Sequence, residues 1–187
     1  MIRKNTIVVG IVTVWLAVLG WVSFAQDTAQ NKYTVSVPGG LAFSEFRGYE
    51  AWQTISLSRN DTALAVILGN PVMIEAYKSG IPGNGKPFPD GARMAKVHWA
   101  PKQSALFPTA TVPGTLANVD FMVKDSKRFA DSGGWGYAVF DYDNASDTFA
   151  PGTKASAPPQ GNDAKCGFAC HTRAKSLDYV FTEYGKR

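Results

Sequence analysis

The chain has 187 residues, of which 45% are hydrophobic and 18% are charged, so it is long and apolar enough to build one ordinary hydrophobic core. Its formal net charge is +4, but the basic residues are scattered and form no run, which excludes a nucleic-acid-binding surface of the usual basic kind. Aromatic residues make up 12% of the chain, which suits a core around a large flat cofactor, although β-rich proteins without cofactors also use many aromatics.

Residues 1–25 have the pattern of a secretory signal peptide. Arg3 and Lys4 give a positive start, an apolar run follows, and small residues precede a cleavage point after Ala25. The alternative is an uncleaved anchor, since the apolar run is near the short limit for a membrane span. We expect cleavage and export to the periplasm, which leaves residues 26–187 as a single domain.

The rest of the chain is predicted to form strands separated by short helices and long loops. Apolar alternation and buried apolar runs predict strands around Ile55 and Leu57 and over residues 62–68, 92–99, 116–123 and 135–142. Apolar spacing, capping and turn residues predict short helices over residues 43–52, 71–79 and 124–130. Residues 80–91, 100–114 and 143–165 are predicted to be irregular, and residues 177–184 to pack the end of the chain over the core. This order indicates an α+β, β-rich fold with mostly antiparallel pairing.

Two of the predicted strands carry polar side chains on one face. In the strand over residues 92–99, Met94, Lys96 and His98 fall opposite the apolar face. Asp120 lies in the middle of the next strand, where aspartate is disfavoured by propensity. Solvent exposure is the simpler explanation for Lys96 and Asp120, and a polar group facing a cofactor pocket is the alternative.

Both cysteines and one of the two histidines lie in the stretch Cys-Gly-Phe-Ala-Cys-His at residues 166–171. Two thiols followed directly by a histidine indicate covalent haem attachment through Cys166 and Cys170, with His171 as the iron ligand. The usual motif has two residues between the cysteines and this one has three, but on a helix either spacing puts both sulfurs on one face. A disulfide and a zinc site are the alternatives, and a zinc site lacks a fourth local ligand. Export is compatible with attached haem or with a disulfide.

Several short segments occur together in a characteristic order: residues 75–80 (EAYKSG), 88–91 (FPDG), 94–96 (MAK), 123–126 (VKDS), 128–130 (RFA), 134–135 (GW), the attachment stretch and 180–182 (VFT). With these segments in order, the chain resembles the cytochrome P-460 family, which includes the related cytochromes c′-β. The resemblance spans roughly residues 40–184. It departs from the family pattern in its cysteine spacing and near Ala65, where some members carry a distal arginine.

The resemblance implies a periplasmic homodimer with one covalent haem c per chain and five-coordinate iron held by His171. Lys96 matches the lysine that P-460 proteins link to the haem macrocycle, and Asp120 matches a distal carboxylate. The implied activity is oxidation of hydroxylamine, in which Asp120 accepts a proton and a redox acceptor such as a soluble cytochrome receives the electrons.

Two other functions stay open on the sequence. Without a cross-link at Lys96, the protein would look more like a cytochrome c′-β that binds nitric oxide or carbon monoxide. As a small electron carrier, it would use Met94 or His98 to close the sixth position of the iron.

Overall fold

One antiparallel sheet of six strands is the framework of the computed structural model, which describes residues 29–38, 40–154 and 167–187. Each strand pairs with the next one along the chain, so the sheet is a simple meander. Its strands are β1 (Gln53–Arg59), β2 (Leu64–Gly69), β3 (Arg93–Gln103), β4 (Thr111–Lys124), β5 (Trp135–Asp143) and β6 (Thr148–Pro151). The predicted β-rich fold with antiparallel pairing and short helices is confirmed.

The two central strands, β3 and β4, are longer than predicted. Their ends occupy about half of residues 100–114, a segment that was predicted to be irregular. Pro101 pairs with Pro113 close to the loop that joins the two strands, where the register shifts. Proline cannot donate to the strand ladder but is tolerated at such irregular positions, so its presence did not end either strand. Only residues 104–110 form the connecting loop.

The first predicted helix, residues 43–52, is instead two 3₁₀ turns at Phe43–Phe46 and Tyr49–Ala51. Arg47 ends the first turn with a ψ of 130°, and Gly48, which precedes the second turn, has a left-handed φ of +80°. The prediction of one continuous helix here is therefore wrong.

The predicted helix over residues 124–130 is also wrong. Lys124 is the last residue of β4, and the Asp125 carboxylate accepts hydrogen bonds from the backbone of Lys127 and Arg128. This side-chain capping stabilises a tight turn that competes with a helix. A 3₁₀ turn at Ala130–Ser132 follows it.

Strand β6 was missed because residues 143–165 were expected to be irregular throughout. It pairs with the end of β5, from Asp143 opposite Thr148 to Phe140 opposite Pro151. The predicted signal peptide (residues 1–25) and Cys166 lie outside the described residues. No helix in the described part of the chain is long and apolar enough to cross a bilayer.

The main helix, α1 (Pro71–Lys78), forms as predicted and is tied to the sheet by its capping residue. The Asn70 side chain accepts a hydrogen bond from Met73 N at 3.0 Å, which caps the first turn. It also accepts from Arg93 N at 3.0 Å and donates to Gly91 O at 2.8 Å. Asn70 therefore fixes the start of α1 against the start of β3.

The two faces of the sheet carry separate buried clusters. Alternation along the central strands sends Ala95 and Phe121 to one face, where the first 3₁₀ turn covers them through Phe43. The opposite face carries Met94 and Met122, packed with α1 and the C-terminal segment. The C-terminal residues pack over this second cluster as predicted, and Val180 is 2% exposed.

Candidate functional site

A cavity of about 290 Å³ lies against the second face of the sheet, between the central strands and the C-terminal segment. Its wall includes Met94 and Lys96, which lie on the face of β3 that was predicted to carry polar side chains. Its lining includes Met94, Lys96, Asp120, Met122, Tyr137 and His171. Lys96, Asp120 and His171, which come from three separate parts of the sequence, therefore share one cavity.

His171 ends the short helix α2 (Phe168–His171), and its ring is fixed from one side by the backbone. Its Nδ1 atom lies 2.6 Å from the carbonyl oxygen of Tyr179. A carbonyl can only accept, so Nδ1 carries the proton and Nε2 keeps a free lone pair. Histidines that bind metals are usually held in this way, with the second ring nitrogen donating to a carbonyl or carboxylate.

The surroundings of His171 favour its neutral form. Burial lowers the pKa of the imidazole, the hydrogen bond to Tyr179 opposes this change, and the nearby charge of Lys96 adds to it. The ring packs against Tyr137 and Phe181, with ring centroids 5.1 Å apart in each case. A neutral imidazole with a free Nε2 is the form that binds a metal ion.

Lys96 and Asp120 are cross-strand partners in the ladder between β3 and β4. The Asp120 side chain is only 17% exposed. Burial raises the pKa of its carboxyl, while the positive charges of His98 and Lys96 oppose that rise and Asp141 adds to it. In the part of the chain that the structure describes, the Lys96 amine has no hydrogen bond or ion pair, so no contact there holds its Nζ atom away from the cavity.

His98 is the cross-strand partner of Asn118 and is not among the residues that line the cavity. Its Nδ1 atom is 2.5 Å from Asn118 Oδ1 and 3.5 Å from Asp120 Oδ2. An amide oxygen only accepts, so Nδ1 carries a proton and presents positive potential to the carboxylate. Met94, the other residue considered as a sixth iron ligand, does line the cavity.

Tyr137 is a cavity residue that sequence reasoning missed. It is 3% exposed, and its hydroxyl has no hydrogen-bond partner among the described residues. Buried hydroxyls are nearly always paired, so an orphaned one at a cavity wall is unusual. The signal available in the sequence was its place in the predicted strand over residues 135–142. In the structure this residue lies directly opposite Met122.

The described half of the attachment stretch lies beside this cavity. Gly167 and His171 line the cavity, and the half-buried Cys170 directly precedes His171 in α2. The predicted common helical face of the two sulfurs includes Cys166, which lies outside the described residues. A free imidazole nitrogen, a neighbouring thiol and an orphaned buried hydroxyl fit a haem group at this position.

Comparison with known proteins yields one family match. The family model described as cytochrome P460 matches residues 46–182, which is most of the chain, and all six strands lie inside the match. The match also contains the whole attachment stretch, residues 166–171. A search of curated proteins finds no match to the chain.

Proposed function

The chain belongs to the cytochrome P460 family of c-type haem proteins, and on that basis we propose that it oxidises hydroxylamine in the periplasm. The observation that carries the proposal is the cavity shared by His171, Asp120 and Lys96. It combines a nitrogen ready to bind iron, a buried carboxyl and an amine without a described partner.

We propose one covalently attached haem c per chain, and the cavity beside Cys170 and His171 supports a haem at this position. His171 would bind the iron through Nε2, and Cys166 and Cys170 would form the thioether bonds. When bound, a histidine-ligated haem with an open sixth position supplies a site for a small nitrogenous molecule and a centre for electron transfer. The hydrogen bond from Nδ1 to Tyr179 O keeps the imidazole in the orientation and tautomer that this role needs.

Asp120 is proposed as the proton acceptor. Oxidation of hydroxylamine makes its N–H and O–H groups acidic, so a base within the cavity lowers the barrier. A buried carboxyl with a raised pKa is a stronger base than an ordinary surface carboxyl. The cross-strand position of Lys96 and the Nδ1–H of His98 keep positive charge near Asp120, which favours the carboxylate form that can take a proton.

Lys96 is proposed as the residue that becomes linked to the haem, as in the P-460 members of the family. Its position in the cavity wall supports this role, and so does the lack of a described partner for its amine. The link would attach the haem to β3 in addition to the attachment stretch and would alter the electronic properties of the macrocycle.

Gas binding of the cytochrome c′-β kind is the second candidate, and the apolar part of the cavity wall favours it. Met94, Met122 and Phe181 line the cavity, and the position near which some relatives carry a distal arginine is Ala65 here, which is 2% exposed. An apolar wall holds a neutral diatomic molecule without requiring a proton acceptor. This function would leave Asp120 without a role in chemistry.

The oligomeric state, the localisation and the electron acceptor are proposed from the family resemblance. The protein would act as a homodimer in the periplasm, and a soluble cytochrome or a similar acceptor would receive the electrons.

The deciding experiment measures hydroxylamine-dependent reduction of a soluble acceptor by haem-loaded protein purified from the periplasm. Turnover above the rate of free haem, with nitrogen oxides or nitrous oxide as products, supports an oxidase. Five-coordinate spectra with tight nitric oxide binding and no turnover would favour the c′-β alternative. Low-spin, six-coordinate spectra in both oxidation states would instead indicate an electron carrier that uses Met94 or His98.

A further inference from the structure

The carbonyl that accepts the hydrogen bond from His171 belongs to an uncommon backbone turn. Asp178 and Tyr179 have φ angles of +49° and +65°, and neither residue is glycine. The left-handed region is unfavourable for such residues, so two in succession persist only where surrounding contacts hold them. The contacts that hold this turn therefore also fix the acceptor for the His171 ring.

A buried ion pair holds the side chain of Asp178. Lys124 Nζ lies 2.7 Å from Asp178 Oδ1 and 2.9 Å from Oδ2, and the two side chains are only 6% and 13% exposed. Asp178 Oδ2 also accepts from Phe88 N at 2.8 Å, while Lys124 Nζ donates to Gly133 O at 2.9 Å. The carboxylate is thus bound from two directions at the end of β4.

The backbone of the turn is held as firmly as its side chain. Trp135 Nε1 donates to Asp178 O at 2.8 Å, and Tyr179 N donates to Ala174 O at 2.9 Å. The Tyr179 ring packs directly on Gly133, where any side chain would collide with it. With these contacts in place, the Tyr179 carbonyl has little freedom to move away from His171 Nδ1.

Stability alone is a weak reason for burying Lys124. Lysine is almost never fully buried unless it is paired, and a well-packed apolar pair of similar volume often stabilises a protein equally well. What an ion pair adds is a defined geometry at the turn, and the residue after Asp178, Tyr179, carries the carbonyl that accepts from His171.

We propose that Lys124 is a positioning residue for the iron ligand: its ion pair with Asp178 holds the Tyr179 carbonyl against His171 Nδ1. A strong hydrogen bond from Nδ1–H makes the imidazole a better electron donor, which stabilises ferric over ferrous iron. Loss of the ion pair loosens the turn, weakens that bond and shifts the equilibrium toward ferrous iron. The inference requires that His171 binds haem iron, but it does not depend on hydroxylamine oxidation.

The test uses haem-loaded Lys124→Met and Asp178→Asn variants, with Glu45→Gln as the matched control. Glu45 pairs with Arg128 at 2.8 Å, and Arg128 also donates to Gly40 O at the same edge of the molecule. That pair has no contact with His171 or the turn at Asp178. Two quantities are measured: the midpoint potential, and the iron–histidine stretching frequency in the resonance Raman spectrum of the ferrous protein.

We expect both test variants to favour ferrous iron by about tenfold, which is about +59 mV for a one-electron couple. Their iron–histidine frequency should fall, while Glu45→Gln changes neither quantity. Lys124→Arg, which keeps the charge, should restore most of the wild-type potential. Asp178→Asn decides the matter if Lys124→Met does not fold, because it preserves side-chain size. Variants that lose thermal stability but keep the wild-type potential and frequency would overturn the proposal and leave Lys124 a purely structural role.

Discussion

Lys96 and Asp120 are directly opposite each other on neighbouring antiparallel strands, and both line the cavity that His171 closes from the other side. No ion pair joins them within the described residues. Their positions bring an amine and a carboxyl to the same cavity, and neither group is bound to the other. The proposed roles of proton acceptor and haem-linked residue follow from this relationship.

Replacing Asp120 with asparagine should slow hydroxylamine oxidation about 100-fold, because a positioned general base typically contributes that much or more. The haem content and spectrum should stay close to those of the wild type, since Asp120 is not an iron ligand in this account. Asp131→Asn, at an exposed position in a 3₁₀ turn, is the matched control. Unchanged turnover in Asp120→Asn would refute the base role.

The pH dependence of turnover should report the raised pKa of Asp120. Its ordinary value is 3.8, and burial raises the pKa in the folded protein. Only the carboxylate accepts a proton, so the rate should fall as pH decreases through this raised value, above the range of a surface carboxyl. The pH profile of kcat at saturating hydroxylamine measures this limb, because protonation of the free substrate does not enter kcat. A rate that stays constant down to about pH 4 would exclude Asp120 as the base.

Replacing His98 with glutamine should move the same acidic limb to higher pH. The positive charge of His98 lowers the pKa of Asp120, so its removal raises that pKa further. Glutamine keeps a donor that can reach Asn118, which limits the structural change. A comparison of the two pH profiles measures the shift. A shift to lower pH, or none, would show that His98 does not act on Asp120.

The same pKa shift has a consequence for stability. Between the ordinary and the raised pKa of Asp120, the folded protein holds a proton that the unfolded chain has released. The free energy of unfolding contributed by this group is therefore present at low pH and is lost as pH rises through that window. Denaturant unfolding measures this contribution as a difference: the free energy of unfolding of the wild type minus that of Asp120→Asn should decline as pH rises through this window.

Replacing Lys96 with methionine should abolish the linked spectrum while the thioether-bound haem remains. We expect hydroxylamine oxidation to be lost and binding of nitric oxide to persist, because the iron ligand is unchanged. Lys102→Met is the control, since Lys102 is an exposed lysine on the same strand. An unaltered spectrum in Lys96→Met would show that no link forms at this residue.

Replacing Tyr137 with phenylalanine tests whether its hydroxyl has a partner in the haem-loaded protein. A buried hydroxyl without a partner costs about 1–3 kcal/mol, so its removal should leave the free energy of unfolding equal or higher by about 1 kcal/mol. Denaturant unfolding of the haem-loaded protein measures the difference. A loss of more than about 1 kcal/mol would mean that the hydroxyl is hydrogen-bonded there.

The cavity face could be predicted from the sequence because strand alternation is a local property. In β3, Met94, Lys96 and His98 alternate with buried apolar residues, and the strand pattern alone places them on one face. In β4 the same alternation identifies Asp120 as a polar residue in a largely apolar strand. Helix α1 could be predicted for the same reason, since the neighbouring residues Asn70 and Pro71 define its start.

The features that could not be predicted depend on contacts between distant residues. Lys124 was expected to begin a helix, and only its pairing with Asp178, 54 positions later, explains its burial. The role of Tyr137 depends on the approach of His171 from the C-terminal segment. Strand β6 is short and contains proline, so its pairing with β5 is decided by the sheet edge rather than by its own propensity.

The central claim is that this chain carries covalently bound haem at Cys166, Cys170 and His171, and the intact mass of the denatured protein after periplasmic expression tests it most directly. The account predicts the mass of residues 26–187 plus one haem, retained after unfolding. A mass equal to the chain alone minus two protons would contradict it, because the two cysteines would then form a disulfide and the cavity would have no covalent cofactor.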